Sequence, residues 1–237
     1  MLILSIIIPV FNNSNALESN LPFLINELNK KKYDFEIIIV DDGSKDQVIT
    51  KKIAQNFNAV FIGLDKNKGK GAAIKEGMNN AKGDFRIFTD ADIPYEFESL
   101  EKMISEYKSG KSNLIIGDRT LVKSKYYDSL SFIRNFGSKL FSLLVGSIFR
   151  SGLSDTQCGL KGFTANTAKY LFSKSRINGF AFDVEILYLA DKYKYQIQRV
   201  PVKLRNQSTS SVKVLKHGLF MFIDLIKIKI NQILKRY

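Results

Sequence analysis

Along the first half of the chain, short apolar runs alternate with longer stretches in which apolar residues recur every three or four positions. Leu2–Ile8 is apolar apart from Ser5 and exits at Pro9, the pattern of a buried strand. Ser14 or Asn15 can cap a helix that runs to about Lys31, with Leu17, Leu21, Leu24, Ile25 and Leu28 on one face. Phe35–Val40 predicts a second strand, running into Asp41, Asp42, Gly43 and Ser44. Asp46 can cap a helix to about Phe57, and Ala59–Leu64 predicts a third strand. Asp65–Gly71 (DKNKGKG) is a Gly/Lys loop opening a helix from about Lys70 to Ala81. A fourth strand follows in Phe85–Pro94 (FRIFTDADIP), where apolar residues run into Asp90 and Asp92 with the small Ala91 between them. A helix near Glu96–Lys108 and a strand over Asn113–Ile116, ending in Gly117, Asp118 and Arg119, complete this half. Strict β-α alternation of this kind predicts a largely parallel sheet between helical layers.

The second half is less regular. Leu121–Asp128 has loop character, and Ser131–Arg150 predicts a helix with a broad apolar surface and basic Arg134, Lys139 and Arg150. Asp155–Phe163 (DTQCGLKGF) is polar and carries two glycines. Asn166–Phe172 and Phe182–Lys192 predict helices, Ile197–Leu204 a strand, and Asn206–Ser211 a polar loop. Val212–Tyr237 interleaves apolar residues with Lys213, Lys216, Lys227, Lys229, Lys235 and Arg236, as a basic amphipathic helix would, although Ile226–Ile230 also fits a strand period. The expected organisation is one domain over residues 1–211 followed by the amphipathic segment 212–237.

Composition narrows the partners. A 237-residue chain is long enough for one α/β core. A single cysteine, Cys158, excludes a disulfide framework, and a single histidine, His217, excludes a multi-histidine zinc site. A reducing cytoplasm is the expected compartment. The opening MLILSIIIPV lacks a basic n-region and is too short to span a bilayer, and no stretch reaches the roughly 18 apolar residues a span requires. The net charge of +13 points to an anionic partner: a phosphorylated substrate, an anionic membrane surface or nucleic acid. Against nucleic acid, the basic residues are spread out, tryptophan is absent and no nucleic-acid motif occurs.

Candidate chemistry gathers at strand ends. If the strands are parallel, Pro9–Asn12, Asp41–Asp42, Lys68–Gly71 and Asp90 with Asp92 all lie on one edge, where open α/β sheets bind ligands. The pattern suits a nucleoside diphosphate. A carboxylate after the second strand can accept from a base N–H or ribose hydroxyl. Gly69 and Gly71 let backbone N–H groups approach a phosphate while Lys68 and Lys70 add charge. Asp90 and Asp92 can hold a divalent cation through hard oxygens. The loop has no Walker spacing, and no Gly-x-Gly-x-x-Gly follows the first strand, which argues against a P-loop NTPase and a dinucleotide-binding domain. A sugar nucleotidyltransferase, another user of metal-binding acids on an α/β sheet, lacks support because the first loop has no Gly-rich signature.

SIIIPVFNN, EIIIVDDGSKD, NKGKGAAIKEGMNNAKGD, FTDADIP, GDR, DTQCGLKGF and GFAFDVEIL, in this order and spacing, resemble the family 2 inverting glycosyltransferases. Within that family the chain is similar to polyprenyl-phosphate sugar synthases of the dolichyl-phosphate glucosyltransferase and mannose synthase kind, and DTQCGLKGF and FAFDVEIL lean towards the glucosyltransferase branch. The resemblance covers about Ile3–Leu204. It implies a GT-A fold, a Rossmann-like three-layer α/β/α architecture with a mostly parallel central sheet. It also implies a nucleotide-sugar donor, such as UDP-glucose, and a polyprenyl phosphate or other glycan acceptor. The product would serve cell-envelope glycan or glycoprotein synthesis, made at the cytoplasmic face of a membrane by a peripherally bound protein. Whether the protein forms a homo-oligomer is left open.

By the same resemblance, Pro9, Phe11, Asp41 and Asp42 would line the nucleoside pocket, with Lys70 near it. Asp90, Ala91 and Asp92 would meet the diphosphate, with Mg2+ or Mn2+ on the two acids. Arg119 and Arg134 would meet donor or acceptor phosphate, assisted by Ser138. Gln157, Asp183 and Glu185 would lie near the sugar or acceptor, and Arg205 would close over phosphate. Two positions depart from the family. Pro94 stands where mannose synthases often carry a metal-binding Gln, and Asn13 stands near where many relatives carry Glu. The acceptor decides what catalysis requires. A hydroxyl needs a general base, for which Asp183 or Glu185 is the candidate. A lipid phosphate, with a second pKa of about 6, is already anionic and needs cationic positioning instead.

Overall fold

The computed structural model describes residues 3–124, 146, 155–205 and 214–237. Apart from residue 146, the expected helix Ser131–Arg150, with Arg134 and Ser138, lies outside the described residues, as does the loop Asn206–Ser211. Seven strands form one sheet: β1 (Ile3–Val10), β2 (Asp34–Asp41), β3 (Val60–Gly63), β4 (Phe85–Phe88), β5 (Leu114–Asp118), β6 (Lys161–Thr164) and β7 (Ile197–Pro201). The described helices are α1 (Ser14–Lys30), α2 (Gln47–Asn56), α3 (Lys70–Asn80), α4 (Phe97–Lys108), α5 (Ala165–Lys174), α6 (Phe182–Lys192) and α7 (Val214–Ile233). Val214–Ile233 is helical throughout, which resolves the strand alternative at Ile226–Ile230.

The strand order is β3-β2-β1-β4-β6-β5-β7. β6 pairs antiparallel with both β4 and β5, while every other pairing is parallel. All strands except β6 therefore point their carboxyl ends to one edge, and β6 starts from that edge. Asp155–Phe163, polar and with two glycines, shows no strand pattern in the sequence. Its last residues nevertheless form β6, an interior strand between β4 and β5, and the antiparallel entry brings Asp155–Leu160 to the same edge as the acids.

Both faces of the sheet are covered, which explains its unbroken apolar strands. Ile6 and Ile8 of β1 pack with Leu17, Leu21, Ile53 and Met103, from α1, α2 and α4. Ile7, between them, packs on the opposite face with Ile74, Phe172, Leu187 and Ile228, from α3, α5, α6 and α7. Alternating side chains of one strand thus feed two separate cores, the layering expected from the α/β alternation.

Candidate active site

The ends of β1 and β2 are laced together first. Asp42 N–H donates to Val10 O at 2.8 Å, Asn12 N–H to Ser44 Oγ at 2.8 Å, and Lys45 N–H to Asn12 Oδ1 at 2.8 Å. Phe11 is left 47% exposed beside these loops, while Pro9 sits half-buried within β1. Asp41 Oδ1 accepts from Ser44 N–H at 2.7 Å and Gln47 Nε2 at 3.2 Å. Asp41 Oδ2 is buried and has no partner. An orphaned buried carboxylate oxygen is costly, so this atom suits a donor N–H or O–H from a ligand.

Asp42 acts differently from expectation. Its two oxygens accept the Lys68 and Gly69 N–H groups at 2.7 and 2.8 Å. The Gly/Lys loop therefore spends these N–H groups on a carboxylate of this chain rather than offering them to a phosphate. Burial pushes the Asp42 carboxyl up, and the two N–H donors oppose the rise. Gly69 has φ +104°, and a Cβ there would stand 2.4 Å from Asn178 O. A Cβ on Gly71 would lie 2.6 Å from that of Phe182. Both glycines let the start of α3 press against residues 177–182.

That packing aims Lys70, the first residue of α3, at the end of β4. Its Nζ donates to Asp90 Oδ1 at 2.5 Å. Burial acts to lower the Lys70 pKa, but Asp90, Asp183 and Asp92 together hold it above the ordinary value. Asp90 Oδ2 lies against Gly159, where a Cβ would come within 2.2 Å of it. The carboxylate is thus seated between α3 and the segment that leads into β6. Beyond it, Ala91 is buried, and Ile93 N–H closes a turn onto Asp90 O at 3.0 Å. Ile93 holds φ +42°, a strained conformation for a β-branched residue, costing roughly 1–3 kcal/mol. Its side chain is buried with Phe97 and Leu100, which offsets that cost.

Arg119, after β5, makes a bidentate pair with Asp155, Nε to Oδ2 and Nη2 to Oδ1, each at 2.8 Å. Burial acts against its charge, but Asp155 holds the guanidinium above the usual range. Gln157 N–H also reaches Asp155 Oδ1, at 3.3 Å. Arg205 is tied to the acid segment by its N–H on Pro94 O at 2.8 Å. Its guanidinium stacks 4.1 Å from the Phe23 ring centroid and bonds Asn20, and its Nε is buried without a hydrogen-bond partner.

The two carboxylates of α6 divide: Asp183 lies close enough to Lys70 and Asp90 to act on both, whereas Glu185 faces the chain's last residue. Asp183 is buried and takes Lys161 Nζ at 2.7 Å. Glu185 is fully buried and accepts Arg176 N–H, Ile177 N–H and Tyr237 O–H at 2.7–3.0 Å. It clamps the start of α6 to the chain's last residue, and nothing in this geometry directs it to a substrate. Three other groups went unmarked in the sequence: Asp155, which holds Arg119; Lys161, which holds Asp183; and Tyr95, whose buried hydroxyl accepts Cys158 Sγ and Gly159 N–H at 3.3 and 3.2 Å. A lysine inside the apolar GLKGF was the one available signal.

The family model for glycosyl transferase family 2 matches residues 5–166. The chain belongs to this family. It is a glycosyltransferase with a GT-A fold. A dolichyl-phosphate beta-glucosyltransferase from Dictyostelium discoideum is 34% identical, over 98% of this chain and 75% of that protein. Proteins with the same description from Homo sapiens and Saccharomyces cerevisiae are each 31% identical, covering 96% and 99% of this chain and 75% and 76% of their own. Among solved structures, mannosyl-3-phosphoglycerate synthase from Rubrobacter xylanophilus superposes with a TM-score of 0.72 at 14% identity, over 98% of this chain and 75% of that one. Glucosyl-3-phosphoglycerate synthase from Mycobacterium tuberculosis, crystallised with Mn2+, UDP-glucose and phosphoglyceric acid, gives 0.68 at 18% identity, over 96% and 79%.

In this glycosyltransferase no group of three or more metal-binding side chains gathers among the described residues. Asp90 and Asp92 nevertheless suit a cation that arrives with its substrate. Mg2+ commonly binds one or two carboxylates plus substrate phosphates and water; Asp90, with one oxygen paired to Lys70, and Asp92, which acts on the same lysine, are the two carboxylates at this edge.

Proposed function

We propose that the protein transfers glucose, with inversion, from UDP-glucose to a polyprenyl phosphate of the dolichyl type at the cytoplasmic face of a membrane. The observation that carries the acceptor is the fate of the two candidate bases. Asp183 is locked to Lys161, and Glu185 is committed to backbone N–H groups and Tyr237. A hydroxyl acceptor needs a base; a phosphate, already ionised, does not. The names of the relatives support the same choice.

In this reading Phe11 stacks on the base, and Asp41 Oδ2 accepts its N–H. Asp42 holds the Lys68–Gly69 loop in place, so Lys70 and the acids meet the diphosphate. Asp90 and Asp92 would hold Mg2+ or Mn2+, which when bound would supply Lewis-acid stabilisation of the departing diphosphate. Lys70 adds a fixed positive charge beside it. Arg119, oriented by Asp155, faces phosphate, and Gln157 and Arg205 complete the acceptor side; the resemblance would add Arg134 and Ser138, which lie outside the described residues. The lipid phosphate attacks the anomeric carbon from the face opposite the leaving group.

Radiolabelled UDP- and GDP-sugars, offered with and without polyprenyl phosphate, test this. Glucose label should enter an organic-extractable product only when the lipid phosphate is present. Equal transfer to a sugar hydroxyl without it would overturn the acceptor assignment. Pyrophosphate-dependent release of sugar phosphate would replace the transferase reading with a nucleotidyltransferase.

A further inference from the structure

Helix α7 is apolar on two sides. Its inner side, through Leu225 and Ile228, is buried in the core with α3 and α6. Its far end is latched: Tyr237 O–H reaches Glu185, Lys192 Nζ reaches Tyr237 O at 2.7 Å, and an Arg176 nitrogen reaches Arg236 O at 3.2 Å. The outer side carries Leu219, Phe222, Ile223, Ile226, Ile230 and Ile233, each 37–68% exposed. At about 100° per residue these six fall on one stripe, with Lys227 at one margin and Lys229 at the other. Over residues 214–237 the basic side chains are Lys216, Lys227, Lys229, Lys235 and Arg236, against a single acid, Asp224.

A soluble surface rarely leaves so large an apolar stripe in water. An apolar face edged by lysines is the composition of a helix lying at a lipid–water interface. Among the described residues no helix is long and apolar enough to cross a membrane, so lying on the surface is the arrangement this helix suits. The charge selects an anionic surface over a neutral one.

The position of α7 adds to this. A Cβ on Gly179 would stand 2.5 Å from Asp224 Oδ2, so α7 lies against the segment that also packs on Gly69 at the start of α3. Residues 206–213 connect Arg205, tied to Pro94, directly to α7.

We infer that the outer face of α7 seats the protein on an anionic bilayer, with the Lys70–Asp90 edge held beside the lipid surface. This deepens the lipid-phosphate reading and rests on it for the identity of the acceptor; docking itself is measured separately. The test uses the whole chain and vesicles of phosphatidylcholine, alone or mixed with phosphatidylglycerol, without any acceptor. The protein should co-sediment with the mixed vesicles, less with the neutral ones, and less again as salt rises. Ile226→Glu with Ile230→Glu should weaken binding about a hundredfold. Lys229→Gln with Lys235→Gln, which leaves the stripe intact, should cost about fivefold per lysine on mixed vesicles only.

Unchanged vesicle binding by the isoleucine variant overturns the inference. So does a wild-type protein that ignores vesicles but forms a dimer the variant cannot form, because the stripe then meets a second copy. Should the glutamates prevent folding, Ile226→Ser with Ile230→Ser and the lysine variant carry the same test. Glucose transfer to a short prenyl phosphate in solution separates the two readings. Docking with no transfer to any prenyl phosphate leaves α7 as assigned and removes the proposed reaction. Transfer without docking does the reverse.

Discussion

The Lys161–Asp183 pair offers a measurable test of how the site is held. Lys161 is fully buried at the start of β6, donating to Asp183 Oδ1 at 2.7 Å and to Cys158 O at 2.6 Å, with its Nζ 5.5 Å from the Phe88 ring centroid. Lys161→Met keeps most of the volume and removes the charge. Asp183 and the Cys158 carbonyl then lose their donor inside the core. Breaking one side of a buried pair costs about 3–5 kcal/mol. The low end, about 3 kcal/mol, is expected here, because Lys70 also acts on Asp183. With a urea m-value of about 3 kcal/mol/M the unfolding midpoint should fall by about 1 M. Lys161→Met combined with Asp183→Leu removes both charges of the pair and should recover about half of the loss.

The loss should also depend on pH. Burial already pushes the Asp183 carboxyl up, against the pull of Lys161 and Lys70. Removing Lys161 raises it further. A carboxyl whose folded pKa exceeds its unfolded value near 4 costs nothing below that value and its full amount above the folded one. The deficit of Lys161→Met should therefore shrink on acidification and grow as pH rises, read by urea melts between about pH 5 and 8. A loss below about 1 kcal/mol, the same at every pH, would refute the reasoning.

Three further outcomes are expected. Asp92→Asn should abolish transfer while the thermal melt is unchanged; a fully active variant would sink the metal–diphosphate assignment. Gly159→Ala places a Cβ within 2.2 Å of Asp90 Oδ2, so kcat/KM should fall about tenfold or more through a displaced carboxylate, and wild-type kinetics would show that Asp90 needs no such seat. Glu185→Ala leaves the Arg176 and Ile177 N–H groups and the Tyr237 hydroxyl unpaired and should cost about 2–4 kcal/mol in denaturant melts without altering kcat per folded molecule. A selective loss of kcat at unchanged stability would return Glu185 to the catalytic machinery.

Much of this protein is legible in its sequence. Periodicity places β1 to β5 and α1 to α4, because the inner strands are buried on both faces and each helix on one, so burial is written into the residue pattern; β4 ends at Phe88, short of the acids. The pattern also places the acids at strand ends, since a carboxylate after an apolar run must lie at the sheet's edge. The later helices Ala165–Lys174, Phe182–Lys192 and Val214–Ile233 and the strand from Ile197 follow their pattern too. Tertiary structure decided β6 and which polar groups are tied up. β6 is four residues, KGFT, and its lysine is tolerated only because Asp183, 22 residues away, neutralises it; no local pattern encodes such a partner. The same holds for Asp42, an expected ligand contact whose oxygens go to the Lys68 and Gly69 N–H groups, and for Glu185, which clamps the C-terminus. Residue type and spacing fix which side chains can do chemistry. Which of them are spent on holding the chain together depends on contacts between distant segments, and those exist only once the sheet has formed.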